Sequence, residues 1–133
     1  MQEVIKFLQE NITGCLATVE NGKPKVRPFQ FMLEDGGKLF FCTNNTKDVS
    51  TQLKATPYME FSSFSPTFAW IRLSGKIAFS NDLKIKEKIL EASGLVKSIY
   101  QTPDNPIFEI FYLEHGTAIL ADFSGQPPKT INF

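Results

Sequence analysis

The residues of this chain that suit a charged ligand gather at two places. Thr43-Asn44-Asn45-Thr46-Lys47 stands where an apolar strand-like run hands over to a helix-like one. A phosphate monoester calls for fixed N–H donors at a helix N-terminus, hydroxyl donors and cationic side chains, and this stretch supplies all three. Lys47 in a first helical turn opposes the helix macrodipole, and an anion in front of it would account for its position. Arg27 sits mid-strand on the face that carries Phe29 and Phe31, where a guanidinium needs a partner. A bound phosphate is one partner. A surface carboxylate such as Glu20 is another, and in that reading Thr46 caps the helix and Lys47 points to water.

Other chemistries lack their residues. The single histidine, His115, lies in Glu114-His115-Gly116, which reads as a turn, and no flanking motif supports a nucleophile triad. Cys15, Cys42 and that histidine have no metal-ligand spacing, so no metal site is expected. There is no phosphate-binding loop of the Walker type and no Gly-x-Gly-x-x-Gly after a strand. No general acid or base stands out, and Tyr58 or Tyr100 would serve only by reaching a ligand pocket.

The elements that must carry these residues are short. Val4, Ile5, Leu8 and Ile12 recur at helical spacing, which predicts a helix over 2–11. Cys15 to Glu20 and Lys25 to Leu33 read as strands around the hairpin signal Asn21-Gly22. In the second strand Arg27, Phe29, Phe31 and Leu33 share a face, and Pro28 predicts an edge, a bulge or a break. Lys38 to Cys42 is a third strand, with a helix over Lys47 to Lys54 that Thr56-Pro57 stops. Tyr58 to Phe64 and Phe68 to Phe79 follow as strands. A helix over Asp82 to Ala92 has Gly94 as its expected C-cap, and 95–106 holds a further helical turn. Ile107 to Tyr112 and Thr117 to Phe123 complete the strands, and the tail reads as a loop. The fold expected is a β-rich, six- to seven-stranded antiparallel barrel with two or three short helices, its faces filled by the 13 phenylalanines.

Composition bounds the rest. The chain has 133 residues, 42% hydrophobic and 21% charged, with zero formal net charge. One domain over 1–133 is expected. Disorder is excluded, as is a general electrostatic pull toward nucleic acid or anionic membrane. No apolar run approaches the ~20 residues of a membrane-spanning helix. Glu3 and Lys6 interrupt what would be a signal core. Cys15 and Cys42 are expected to be buried reduced thiols, and a cytoplasmic location follows by default.

Three stretches in this order resemble the flavin-binding split-barrel proteins related to pyridoxamine 5′-phosphate oxidase, in the branch that includes the nitroimidazole-resistance proteins. They are Lys25-Val26-Arg27-Pro28-Phe29-Gln30-Phe31, Leu39-Phe40-Phe41-Cys42-Thr43-Asn44-Asn45-Thr46-Lys47, and Trp70-Ile71-Arg72-Leu73-Ser74-Gly75. The resemblance implies an FMN cofactor at the interface of a homodimer. It places the phosphate on Arg27 and Lys47, with Thr43 and Asn44 donating and Cys42 leading into the turn. Pro28, Phe29 and Gln30 would lie along the isoalloxazine ring, and Trp70 would stack on it or close its pocket, from either subunit. Met32 stands where the oxidase has a lysine five residues beyond its arginine, and Lys47 stands alone where the oxidase has an Arg-Lys pair. The oxidase's C-terminal substrate-binding pattern is absent. The implied function is therefore a flavin-dependent oxidoreductase acting on a small acceptor such as a nitroaromatic or quinone, and not pyridoxamine phosphate oxidation. The alternatives are a non-enzymatic flavin-binding or redox-sensing protein, and a haem-handling split barrel, whose only axial histidine would be His115.

Overall fold

The computed structural model describes residues 1–133. Four helices are present: α1 (Gln2–Glu10), α2 (Asp48–Ala55), α3 (Leu83–Ala92) and α4 (Gly94–Tyr100). The strands are β1 (Thr13–Glu20), β2 (Lys23–Gln30), β3 (Leu33–Asp35), β4 (Lys38–Asn44), β5 (Tyr58–Phe64), β6 (Trp70–Ser80), β7 (Phe108–Leu113), β8 (Thr117–Ala121) and β9 (Lys129–Asn132). All pair antiparallel, in the order β2-β1-β5-β6-β7-β4-β3, with β8 on β6 and β9 on β8.

The antiparallel β-rich class is as expected, but the sheet has nine strands rather than six or seven. One addition comes from the tail. Lys129–Asn132 pairs with β8, and Phe133 exchanges both backbone hydrogen bonds with Gly116 at 3.0 Å. Its polar composition concealed a strand whose stability is borrowed from the neighbouring ladder.

The other addition arises where the predicted Lys25–Leu33 strand breaks. Pro28 remains in register, opposite Cys15, on a strand that pairs only with β1. The break falls instead at Phe31-Met32. There the Phe31 N–H donates to Ile12 O at 2.9 Å and the Met32 N–H to Phe40 O at 3.0 Å. One run thus leaves β1 and joins β4, linking the two ends of the curled sheet. The break also shifts the face: Phe31 lies in the interior, whereas Leu33 packs against the outer cluster.

Phenylalanines fill the interior. Phe41 contacts Phe31, Phe61 and Phe111 at centroid distances of 5.8, 5.2 and 5.7 Å, and Val4, Leu8, Val49 and Leu53 plug the same core from α1 and α2. A smaller cluster lies outside the barrel, where Ile85, Ile89, Val96 and Tyr100 of α3 and α4 cover Phe40, Phe108 and Ile110.

Several local expectations change. Gly94 does not cap α3; it opens α4, because the Ser93 hydroxyl accepts from the Val96 N–H at 3.2 Å and serves as that helix's N-cap. Leu83, in the first turn of α3, is 54% exposed, while Ile85, Ile89 and Leu90 of the same helix are buried. β6 starts at Trp70, since Phe68 occupies the preceding turn at φ 61°. Cys15 is exposed, on the outer face of β1, against the expectation of a buried thiol. Alternation turns its neighbours Leu16 and Thr18 inward. No helix is long and apolar enough to cross a membrane.

Candidate functional site

The barrel fails to close along one seam. Residues 41–44 of β4 pair only with β7, since β3 reaches no further than Phe40. β2, which ends before the break, pairs only with β1. Between these strands lies an open cleft of about 600 Å³, large enough for a cofactor.

Seven of the predicted site residues line it. Arg27, Pro28, Phe29 and Gln30 come from β2, Cys42 and Thr43 from β4, and Lys47 from the turn before α2. Two do not. The Asn44 side-chain oxygen accepts from the Thr46 N–H at 2.8 Å and from its hydroxyl at 2.7 Å, so Asn44 shapes the turn instead of facing the cleft. Trp70 lies on β6, with its ring centroid 5.0 Å from that of Phe123, outside the cleft of its own chain.

Arg27 reaches no carboxylate. Its guanidinium donates to Thr18 Oγ1 and Gln52 Oε1, both at 2.7 Å, and to Leu16 O at 3.3 Å, all neutral acceptors. The expected alternative partner, Glu20, is held off by Gln52, whose amide N–H donates to Glu20 Oε2 at 3.3 Å. Burial lowers the pKa of Arg27 from its ordinary value, and the charge of Asp48 works against that shift. The guanidinium therefore enters the cleft with its charge uncancelled by a hydrogen-bonded anion.

The α2 end of the cleft is equally short of acceptors. Lys47 is the N-cap of α2, one position before the first turn where it was expected, and no side chain caps the helix. Thr46, considered as a cap, is engaged with Asn44 instead. Thr43 is 4% exposed and its hydroxyl has no hydrogen-bond partner within the protein. A buried hydroxyl without a protein partner has a hydrogen bond left to give, and Thr43 lines the cleft. A cation, an uncapped helix start and that hydroxyl together fit an oxyanion. Asp48 is the one carboxylate in the lining.

The third wall was not anticipated. Leu95, Val96, Ile99 and Tyr100 of α4 line the cleft, with Met32 beside them. Leu95 and Ile99 are 62% and 56% exposed and lie four residues apart on one helical face. That spacing was the available signal, within a segment read only as another turn of helix. Tyr100 stacks on Phe108 with centroids 4.6 Å apart. Of the two tyrosines considered as proton donors, Tyr100 lines the cleft, whereas Tyr58 is 54% exposed and lies outside it. Burial, and then the neighbouring Cys42, raise the Tyr100 pKa, and burial pushes the Cys42 thiol up to about 12. Both are neutral donors at physiological pH. His115 lines a separate hollow with Lys76, Tyr112 and Glu114.

The split antiparallel barrel is a fold that this chain shares with a known family. The chain matches the pyridoxamine 5′-phosphate oxidase family over residues 1–115, and it belongs to that family. Among solved structures, a NimC/NimA family protein from Clostridium acetobutylicum is 34% identical, with a TM-score of 0.91 over 100% of this chain and 92% of that one. General stress protein 26 from Bacillus anthracis is 20% identical, with a TM-score of 0.81 over 99% and 98% of the two chains. A pyridoxamine 5′-phosphate oxidase-related, FMN-binding protein from Nostoc punctiforme is 22% identical, with a TM-score of 0.70 over 89% and 78%. At their lower identities the last two share the fold. No curated protein matches the chain.

Proposed function

We propose that this chain binds FMN in the seam cleft as a homodimer and acts as a flavin-dependent oxidoreductase on a small acceptor of the nitroaromatic or quinone kind. The observation that carries the reading is one cleft lined by Arg27, hydrogen-bonded only to neutral oxygens, by Thr43, whose hydroxyl has no partner within the protein, and by Lys47 at the uncapped start of α2. Arg27 and Lys47 hold the phosphate, and the Thr43 hydroxyl donates to it. The unpaired edge of β2 at Pro28, Phe29 and Gln30 offers backbone groups to a ring laid along it. The apolar face of α4 keeps water from the opposite side, and Tyr100 and Cys42 present neutral donors. The redox chemistry, two electrons taken from a donor and passed to an acceptor, is that of the bound flavin. The likeness to a NimC/NimA family protein supports the choice of acceptor.

A second copy is the proposed cover for the open side. Phe64 and Phe68 stack with centroids 6.3 Å apart, at 65% and 62% exposure, and Phe64 pairs in register with Trp70. Trp70 in turn meets Phe123, which is 81% exposed. Such a row of exposed aromatics suits an interface.

The test is direct. Purified protein shows flavin absorbance or takes up added FMN; a colourless protein that does neither overturns the reading. NAD(P)H bleaches the flavin anaerobically, and a nitro compound or quinone restores the colour. A second reading, a non-enzymatic flavin carrier or redox sensor, is favoured by the raised pKa of both Tyr100 and Cys42, which moves these two cleft donors away from neutrality. Bound flavin that resists both NAD(P)H and acceptors selects it.

A further inference from the structure

Behind Arg27 lies a buried network that ends in an amide where a carboxylate would be the usual partner. Gln52 and Thr18 are 4% and 2% exposed. Gln52 Oε1 accepts from Arg27 at 2.7 Å and from the Thr18 hydroxyl at 2.5 Å, while Thr18 Oγ1 itself accepts from Arg27 at 2.7 Å. The amide has one workable orientation. Its nitrogen faces Glu20 Oε2 at 3.3 Å, and a flip would set an N–H donor against the guanidinium and the amide oxygen against the Glu20 carboxylate. Gln52 therefore separates Arg27 from the nearest acid of β1 and ties it to α2, the helix whose start lines the same cleft.

We infer that Gln52 is a positioning residue that aims Arg27 at a phosphate monoester while leaving its charge uncancelled, and so selects the phosphorylated flavin over riboflavin. The inference rests on the FMN reading above. Glutamate would fit the same volume and accept the same hydrogen bonds. It would also neutralise the cation, and an Arg–carboxylate pair already formed has little left for an incoming dianion. A neutral acceptor gives the geometry without that loss.

Fluorescence titration of FMN and riboflavin into wild type, Gln52→Glu and Glu20→Gln/Gln52→Glu tests this. In Gln52→Glu the FMN Kd rises about tenfold or more, and the riboflavin Kd stays within about threefold of wild type. Adding Glu20→Gln removes the new clash of carboxylates and recovers the melting temperature, but not FMN affinity. Where riboflavin binds too weakly to titrate, inorganic phosphate competing with FMN takes its place, and its inhibition constant rises with the FMN Kd. Equal losses for FMN and riboflavin, FMN binding unchanged in Gln52→Glu, an unchanged phosphate inhibition constant, or affinity restored by Glu20→Gln would each overturn the inference. Wild type that binds no FMN removes the underlying reading as well, whereas loss of FMN in Arg27→Ala without loss in Gln52→Glu removes this inference alone.

Discussion

An arginine whose hydrogen bonds all end on neutral oxygens carries its charge into whatever it faces. Arg27 is in that position, and Lys47 lines the same cleft. Arg27→Ala and Lys47→Ala should each remove a charge-assisted contact of about 1.5–3 kcal/mol and weaken FMN binding by about tenfold or more in a fluorescence titration. Normal FMN binding by both variants would put the phosphate elsewhere. The two cysteines should differ sharply. Cys15 is exposed, and the Cys42 thiol is pushed up to about 12 from an ordinary 9.0. The thiolate fraction of Cys42 is then about a thousandfold smaller, so mass spectrometry after alkylation should find Cys15 modified first. The same shift has a pH consequence. A thiol whose folded pKa is raised contributes stability below the unfolded value and loses it as pH rises from 9.0 toward about 12. Urea midpoints should fall more steeply over that window in wild type than in Cys42→Ser.

At the scale of elements, the site depends on how α2 and β1 are held. Glu109 of β7 accepts from the Ser50 hydroxyl at 2.5 Å and pairs with Lys54 at 2.7 Å, clamping α2 to the barrel. Ser50 is 1% exposed, so Glu109→Ala leaves a buried hydroxyl without its acceptor. The expected cost is about 1–3 kcal/mol in urea denaturation. Gly14 is required for a different reason: a Cβ there would lie 2.1 Å from the Ser62 carbonyl oxygen of β5. Gly14→Ala should force two central strands apart and lower the melting temperature, although its backbone dihedrals are ordinary. α1, β5, α2 and the β1–β2 hairpin could be read because periodicity, Asn21-Gly22 and Thr56-Pro57 are local signals. β3 and β9 could not, because a three-residue strand and a polar tail acquire their ladders only from β4 and β8. Gly94 was misplaced because Ser93 competes with it for the same junction and captures the Val96 N–H.

The whole molecule presents one open seam and one exposed aromatic row. Under the proposed homodimer the row is covered, so Phe64→Asp together with Phe123→Asp should shift sedimentation from dimer to monomer and lower FMN affinity, while the isolated fold is retained. A dimer unaffected by both changes would place the interface on another face. Much of this was already written in the residues. The phenylalanine-rich strands pointed to an antiparallel barrel, since a curled sheet buries aromatic faces and removes edges, and the strand-to-helix turn before Lys47 made an anion site chemically sensible. Its spacing left open whether Arg27 met a phosphate or Glu20. Three-dimensional packing resolved that point against Glu20, by inserting Gln52 from a helix 25 residues away in sequence. It also assigned Asn44 to the turn, set Trp70 apart from the cleft of its own chain, and brought Tyr100 of α4 into it. Local pattern governs hydrogen bonds between near neighbours. Which distant side chain fills the space behind a charge depends on how the strands close, and that follows from the barrel as a whole.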